Sequence, residues 1–149
     1  TGVRIGIAAA KGLGMPHKIN ILGFNNMDIL ANSINDNIKE KRIVTIIKSK
    51  KSDYYFQVFD SKKKPIKKIS FFSINNLPSF FFKKNIVFSG NLDIELIKEI
   101  KKKKKKIFFY KKKISNASLL INLIKKKQHV NTIKSLNPLY VYKHYAKKN

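Results

Sequence analysis

Two seven-residue runs, RIVTIIK at 42–48 and YYFQVFD at 54–60, constrain this chain more than any other feature. Both are rich in β-branched and aromatic residues, and the five residues between them, SKKSD, are all polar. That pattern predicts two strands joined as a hairpin. Further elements follow at short spacing. A third strand is expected over 66–72, and NIVFSG at 85–90 reads as a short strand ended by Gly90. Leu92, Leu96, Ile97 and Ile100 have helical spacing. IFFY at 107–110 reads as a buried strand, and Ser115 or Asn116 is placed to cap a helix over ASLLINLI. An irregular tail is expected from Val130. Strands alternating with helices point to an α/β or α+β architecture.

Upstream of the hairpin the texture differs. Residues 3–13 read as a helix with Val3, Ile7 and Ala10 on one side and Ile5, Ala9 and Leu13 on another. Arg4, Ala8 and Lys11 share the remaining strip, so charge is confined to one line, and the helix is expected to be mostly buried. Gly6, Ala8, Ala9, Ala10 and Gly12 would let a second helix approach closely. Gly12, Gly14 and Pro16 end the element. INILGF at 19–24 then reads as a strand, and Asn25 or Asn26 as the cap of a helix whose apolar face is Met27, Leu30, Ala31 and Ile34. The polar stretch NDNIKEK at 35–41 marks an expected subdomain boundary. Thr1 opens directly inside a helical pattern, so a missing natural start is expected.

The charge is extreme: 33 Lys and Arg against 8 Asp and Glu give a net +25 over 149 residues. Clustered cations gain affinity for phosphates by releasing counterions. Only Arg4 and Arg42 are arginines, however, and the lysines travel with Ile, Asn, Phe and Tyr, whose codons are also rich in A or T. A genome of biased base composition yields this spectrum without selection for binding. The lysine block 101–106, flanked by Phe108, Phe109 and Tyr110, is the strongest electrostatic feature. Its two readings are a base-stacking platform and a solvated connection into a buried strand.

Catalytic signatures are sparse. The chain has no cysteine, which excludes disulfides, thiolate ligands and a cysteine nucleophile. His17, His129 and His144 are scattered, with no pair at the i, i+4 spacing of a helical metal site. Asp93, Glu95 and Glu99 fall on a predicted surface helix, where carboxylates usually serve solubility or lysine pairing. GLG at 12–14 is too short for a phosphate loop. No apolar run approaches the roughly 18 residues of a membrane span, and no secretory signal pattern occurs. The reading is of a soluble, cytoplasmic protein without cofactor or metal.

TGVRIGIAAAKGLG at 1–14 resembles the most recognisable segment of the TsaB family, in which a glycine-rich loop leads into a helix. Thr1, Gly2, Arg4, Gly6, Ala8, Ala10, Lys11, Gly12 and Leu13 fit that pattern. INILGFNNMDILA, IVFSGN, SNASLLINLI and PLYVY resemble its later segments in the same order. The family's Asp-Ala-Arg-like turn is replaced by Ile47, Lys48, Ser49 and Lys50, and its arginine after the closing Pro-x-Tyr by Tyr142. The second half therefore matches by order and texture more than by residues.

The resemblance implies an actin/Hsp70/sugar-kinase-like (ASKHA) α/β fold lacking its first strands, with 1–40 ending one subdomain and 41–149 forming the second. It implies a non-catalytic subunit that binds the catalytic TsaD protein and, with the ATPase TsaE, supports threonylcarbamoyl transfer to adenosine 37 of tRNA, so that tRNA is met through the complex. A homodimer is also open to it. The implied partner face is Val3, Arg4, Gly6, Ile7, Ala9, Ala10 and Lys11. The competing readings are a basic RNA-binding module and a metallopeptidase-like enzyme. Composition alone predicts weak, sequence-indifferent tRNA binding that falls steeply with salt. Titration of tRNA and an unrelated RNA of equal length over a salt series checks this. A tRNA preference that persists at high salt would overturn it.

Overall fold

The computed structural model describes residues 2–34, 41–103, 107–110 and, further on, 120, 121, 123, 124, 137 and 138. The hairpin forms as its sequence predicts. β1 (Arg42–Lys48) and β2 (Asp53–Phe59) pair antiparallel, Ile43 opposite Phe59 and Lys48 opposite Tyr54. β3 (Ser70–Ser73) adds antiparallel to β2. On the other side, β4 (Ile86–Gly90) runs parallel to β1, and β5 (Phe108–Tyr110) parallel to β4. The sheet order is β3-β2-β1-β4-β5.

The central strand is covered on both faces, which is why Ile43, Val44, Thr45 and Ile46 are buried in succession rather than alternately. On one face Ile43, Phe59 and Val87 meet Met27, Ala31 and Ile34 of the α2 region. α2 (Asn26–Asn32) is capped by Asn25, whose Oδ1 accepts from the Met27 amide at 2.9 Å. This is the cap and the apolar face that the sequence predicts. On the opposite face, Val44, Ile46, Phe56 and Phe88 pack with Leu96 and Ile100 of α3 (Ile94–Lys103). A short 3₁₀ helix, Ser79–Phe82, drives Phe81 into this layer. Phe81 makes edge-to-face contacts with Phe56, Phe72, Phe80 and Phe88 at centroid separations of 5.7, 5.1, 4.9 and 5.2 Å.

Four expectations are corrected. The helix α1 (Gly2–Gly14) forms where predicted but is not buried, as detailed below. Residues 19–24 form no strand, and Ile19 and Leu22 face solvent. A strand needs a partner ladder, and this segment makes only an isolated bridge at Gly23. β3 starts at Ser70 rather than 66, because residues 65–67 are engaged otherwise: Pro65 bridges Phe59, the Ile66 amide donates to Val58 O, and Gln57 Nε2 donates to Lys67 O. β5 is an edge strand rather than a buried one: Phe108 is 58% exposed. Farther along, the described residues of the predicted helix, Leu120, Ile121, Leu123 and Ile124, are helical, with Leu123 in the core. Most of the tail expected from Val130 lies outside the described residues.

Gly90 ends β4 at φ +112, a conformation that disfavours any side chain. A Cβ there would stand 2.1 Å from Ile46 O, a backbone atom that cannot step aside. Gly90→Ala should therefore cost about 3 kcal/mol, through left-handed strain and overpacking together. Urea denaturation of parent and variant measures it, and an unchanged midpoint would show that the β1/β4 junction is not tight.

Candidate functional site

Two places stand out: an apolar helix lying on the outside, and a polar cluster at the carboxyl ends of β1 and β4. The helix comes first in the chain. Only Ile7, Ala10, Lys11 and Gly14, spaced as one helical stripe, are even partly covered. The opposite strip, Ile5, Ala9 and Leu13 with Gly2 and Gly6, faces solvent. Ile5 is 63% and Leu13 74% exposed, and Val3, at the helix start, 67%. A Cβ added at Gly2, Gly6 or Gly12 would meet nothing within 4 Å, so among the described residues these glycines serve no close approach. Gly14 differs, since its Cβ position lies 2.6 Å from the Ile21 side chain, where the chain folds back under the helix end. Contiguous exposed apolar surface, where it is large, is a common feature of interaction sites.

The second place is where strand order reverses between β1 and β4, the position at which open α/β sheets form ligand crevices. Here it is closed by one carboxylate. Asp93 Oδ2 accepts from Lys48 Nζ at 2.7 Å and from the Tyr54 hydroxyl at 2.8 Å, while Oδ1 accepts from the Leu96 amide at 2.9 Å and caps α3. Burial opposes ionisation of Asp93, but the bonds from Lys48, the Leu96 amide and Tyr54 outweigh it and hold the carboxyl below its ordinary range. The bond to Asp93 raises the Lys48 ammonium. Burial first, and then Asp93, pushes the Tyr54 phenol well above its ordinary value, so its hydroxyl stays a donor. Both carboxylate oxygens are committed to these bonds. The cluster fastens the β4–α3 turn to the hairpin.

The search of solved structures decides the fold. An uncharacterized protein with similarity to peptidase YeaZ from Pseudomonas aeruginosa superposes with a TM-score of 0.68 at 13% identity, over 95% of this chain and 68% of that one. YeaZ from Pseudomonas aeruginosa superposes at 0.67 and 14% identity, over 93% and 67%. The chain has the YeaZ fold. YeaZ is a TsaB protein, so the likeness agrees with the resemblance carried by residues 1–14. No family model matches the chain, and no curated protein matches it in sequence.

The chain has a YeaZ-like fold with a mixed five-stranded sheet, and the predicted face residues divide. Val3, Arg4, Gly6 and Ala9 are exposed, whereas Ile7, Ala10 and Lys11 are half-buried toward the rest of the chain. His17 is exposed just beyond α1, and His129 and His144 lie outside the described residues. Among the described residues no group of three or more His, Cys, Asp or Glu is placed to hold a metal, and no helix is long and apolar enough to cross a membrane. Sequence reasoning set Asp93 aside as a surface carboxylate. An Asp just ahead of an apolar helical run is itself a cap signal.

Asp93→Ala should lose about 1 kcal/mol at neutral pH through the missing cap. Because the folded pKa is depressed, the advantage of the parent over Asp93→Asn is full above the ordinary carboxylate range and fades as pH falls through the folded value. Thermal melts across the acid range measure the difference. A difference independent of pH would remove the carboxylate charge from the account.

Proposed function

We propose that this chain is a non-catalytic partner subunit of the assembly that adds threonylcarbamoyl to adenosine 37 of tRNA, and that α1 is its docking helix for a TsaD-like catalytic subunit. The observation that carries the reading is the solvent-facing apolar strip of α1 on a chain with the YeaZ fold. Ile5 and Leu13 supply apolar area to such a contact, and Gly2, Gly6 and Ala9 between them let a partner helix come close enough for dispersion to count. Arg4 and Lys11 stand on the other side of the helix from this strip, Lys11 half-buried toward the rest of the chain. In this reading a TsaE-like ATPase belongs to the same assembly, tRNA is met through the complex, the location is cytoplasmic, and the chain itself carries no cofactor. The committed carboxylate of Asp93 supports a supporting rather than a chemical role. The division at residue 40 is proposed as one of topology, since the sheet begins at Arg42 while α2 lies on its face.

The two alanines separate the docking contact from internal packing. Ala9→Leu on the exposed strip should weaken binding to the TsaD-like partner by about 1 to 3 kcal/mol through overpacking at a tight crossing. Its own melting temperature should not change. Ala10→Leu, on the covered side, should lower the melting temperature as well. Calorimetry with the full-length protein and its partner, beside thermal melts, makes the comparison. Parent-like binding by both folded variants would place the interface elsewhere, and loss of self-association by Ala9→Leu without loss of partner binding would assign the strip to a homodimer.

A further inference from the structure

Strand direction gathers cations at one end of the sheet. β1, β4 and β5 run parallel, and α3 returns between β4 and β5, so the starts of the three strands and the end of α3 share one rim. Lys41 and Arg42 open β1, Lys84 stands just before β4, and Lys101 and Lys103 close α3. Contacts confirm the neighbourhood. The Arg42 amide donates to Asn85 O at 2.8 Å, Lys103 Nζ lies 5.5 Å from the centroid of the Phe82 ring, and Lys41 Nζ lies 3.9 Å from that of Phe108. Apart from the half-buried Lys41, these cations are exposed.

The described carboxylates near the sheet divide between its two ends. Asp53, Asp93 and Glu95 sit at the opposite end, where β1 and β4 finish and β2 begins. Toward the basic rim, Glu99 is held by Lys102 at 2.5 Å, and Asp60 Oδ1 accepts from the Lys64 amide at 2.8 Å. Phe108, 58% exposed on the edge strand, presents an aromatic ring among the cations. An exposed ring beside spaced cations is how single-stranded nucleic acid is held: bases stack, phosphates pair, and little sequence is read. A membrane surface would ask instead for a broad apolar face beneath the cations, and this rim presents one ring.

We infer that the amino-terminal rim of the sheet is an RNA-binding surface, which seats phosphates on Arg42, Lys84, Lys101 and Lys103 and stacks one unpaired base on Phe108. Lys41, already over the ring, takes the phosphate next to the stacked base. The inference goes beyond the docking role of α1 and is independent of it, because no residue is shared. Reading an unpaired base, the rim favours single-stranded or looped RNA over duplex.

The test is fluorescence anisotropy of the full chain with a uridine oligomer and with an RNA duplex of equal length, over a salt series. Phe108→Leu should weaken binding of the single strand about tenfold and leave the duplex unchanged, while Phe108→Tyr keeps the ring and the affinity. The triple variant Arg42→Gln, Lys84→Gln, Lys101→Gln should flatten the plot of log affinity against log salt by about 2. The control Lys51→Gln, Lys67→Gln, Lys68→Gln removes the same charge from the hairpin tip and the β3 edge and should leave the slope as it is. Equal losses in the two triple variants would overturn the inference and return the charge to composition. So would a Phe108→Leu variant that binds single strands like the parent, or a rim triple that loses phosphatidylserine vesicles but not RNA.

Discussion

The parallel pairing of β1 with β4 is the junction on which the other elements depend, and it closes on a contact that only glycine permits. Ile46 O lies where a side chain at position 90 would have to begin, and the next amide, Asn91, donates to that same oxygen at 2.8 Å. With the chain drawn so close, β4 cannot overrun β1. It turns out over the sheet end within three residues, and Asp93 arrives where it can cap α3 and reach Lys48 and Tyr54 at once. Backbone, cap and ion pair are thus consequences of one close approach. The energetic weight lies with the glycine and the cap, since an ion pair that solvent reaches contributes little by itself.

The two faces of the sheet are filled by different means. Under α3 the filling is aromatic: Phe81 contacts four other rings, and Tyr54 stacks on Phe72 at 5.3 Å, which places its hydroxyl beneath Asp93. Edge-to-face pairs of this kind add to area burial and fix orientation. Under α2 the filling is mixed. Thr45, opposite Gln57 on β2 and Ser89 on β4, donates to Met27 Sδ at 3.2 Å, while Ser89 Oγ and Gln57 Oε1 are buried with no hydrogen-bond partner among the described residues. Unpaired polar atoms weaken a layer. The aromatic face is also the one that sets the Asp93 turn.

Legibility in the sequence followed the locality of the signal. The hairpin, the Asn25 cap, β4 and α3 were readable because each rests on its own residues: a polar turn between β-branched runs, a side chain bonding two residues ahead, leucines at helical spacing. The 3₁₀ segment was not, since SFFF has neither period, and Phe81 is buried by neighbours distant in sequence. β3 shifted because Pro65, Ile66 and Lys67 are claimed by β2 through contacts that no periodicity encodes. The most instructive difference is α1. Its apolar pattern predicted burial, but a pattern records only that a face avoids water, and cannot distinguish the chain's own core from a partner's surface. In the folded chain Ile5 and Leu13 face solvent, so within the described residues the pattern is not answered by a core.

The same reasoning bears on the lysines. A biased codon supply offers lysine everywhere, but folding sorts where it can stay, because a buried ammonium needs partners. Lys63 shows the cost of burial: it is 8% exposed, and its Nζ donates to Ile34 O at 2.6 Å beyond the end of α2, a site with dedicated geometry. Other described cations stand in turns and loops, as Lys50, Lys51, Lys62 and Lys64 do, or at strand and helix ends. At the carboxyl end of a helix they meet a favourable dipole, as Lys101 and Lys103 do on α3. Among the described residues one group of cations stands at the rim where three parallel strands begin and a helix ends, and mutual repulsion there is relieved by any bound polyanion. Compositional origin and local function are compatible for this reason: base composition accounts for how many lysines there are, and topology for where they stand.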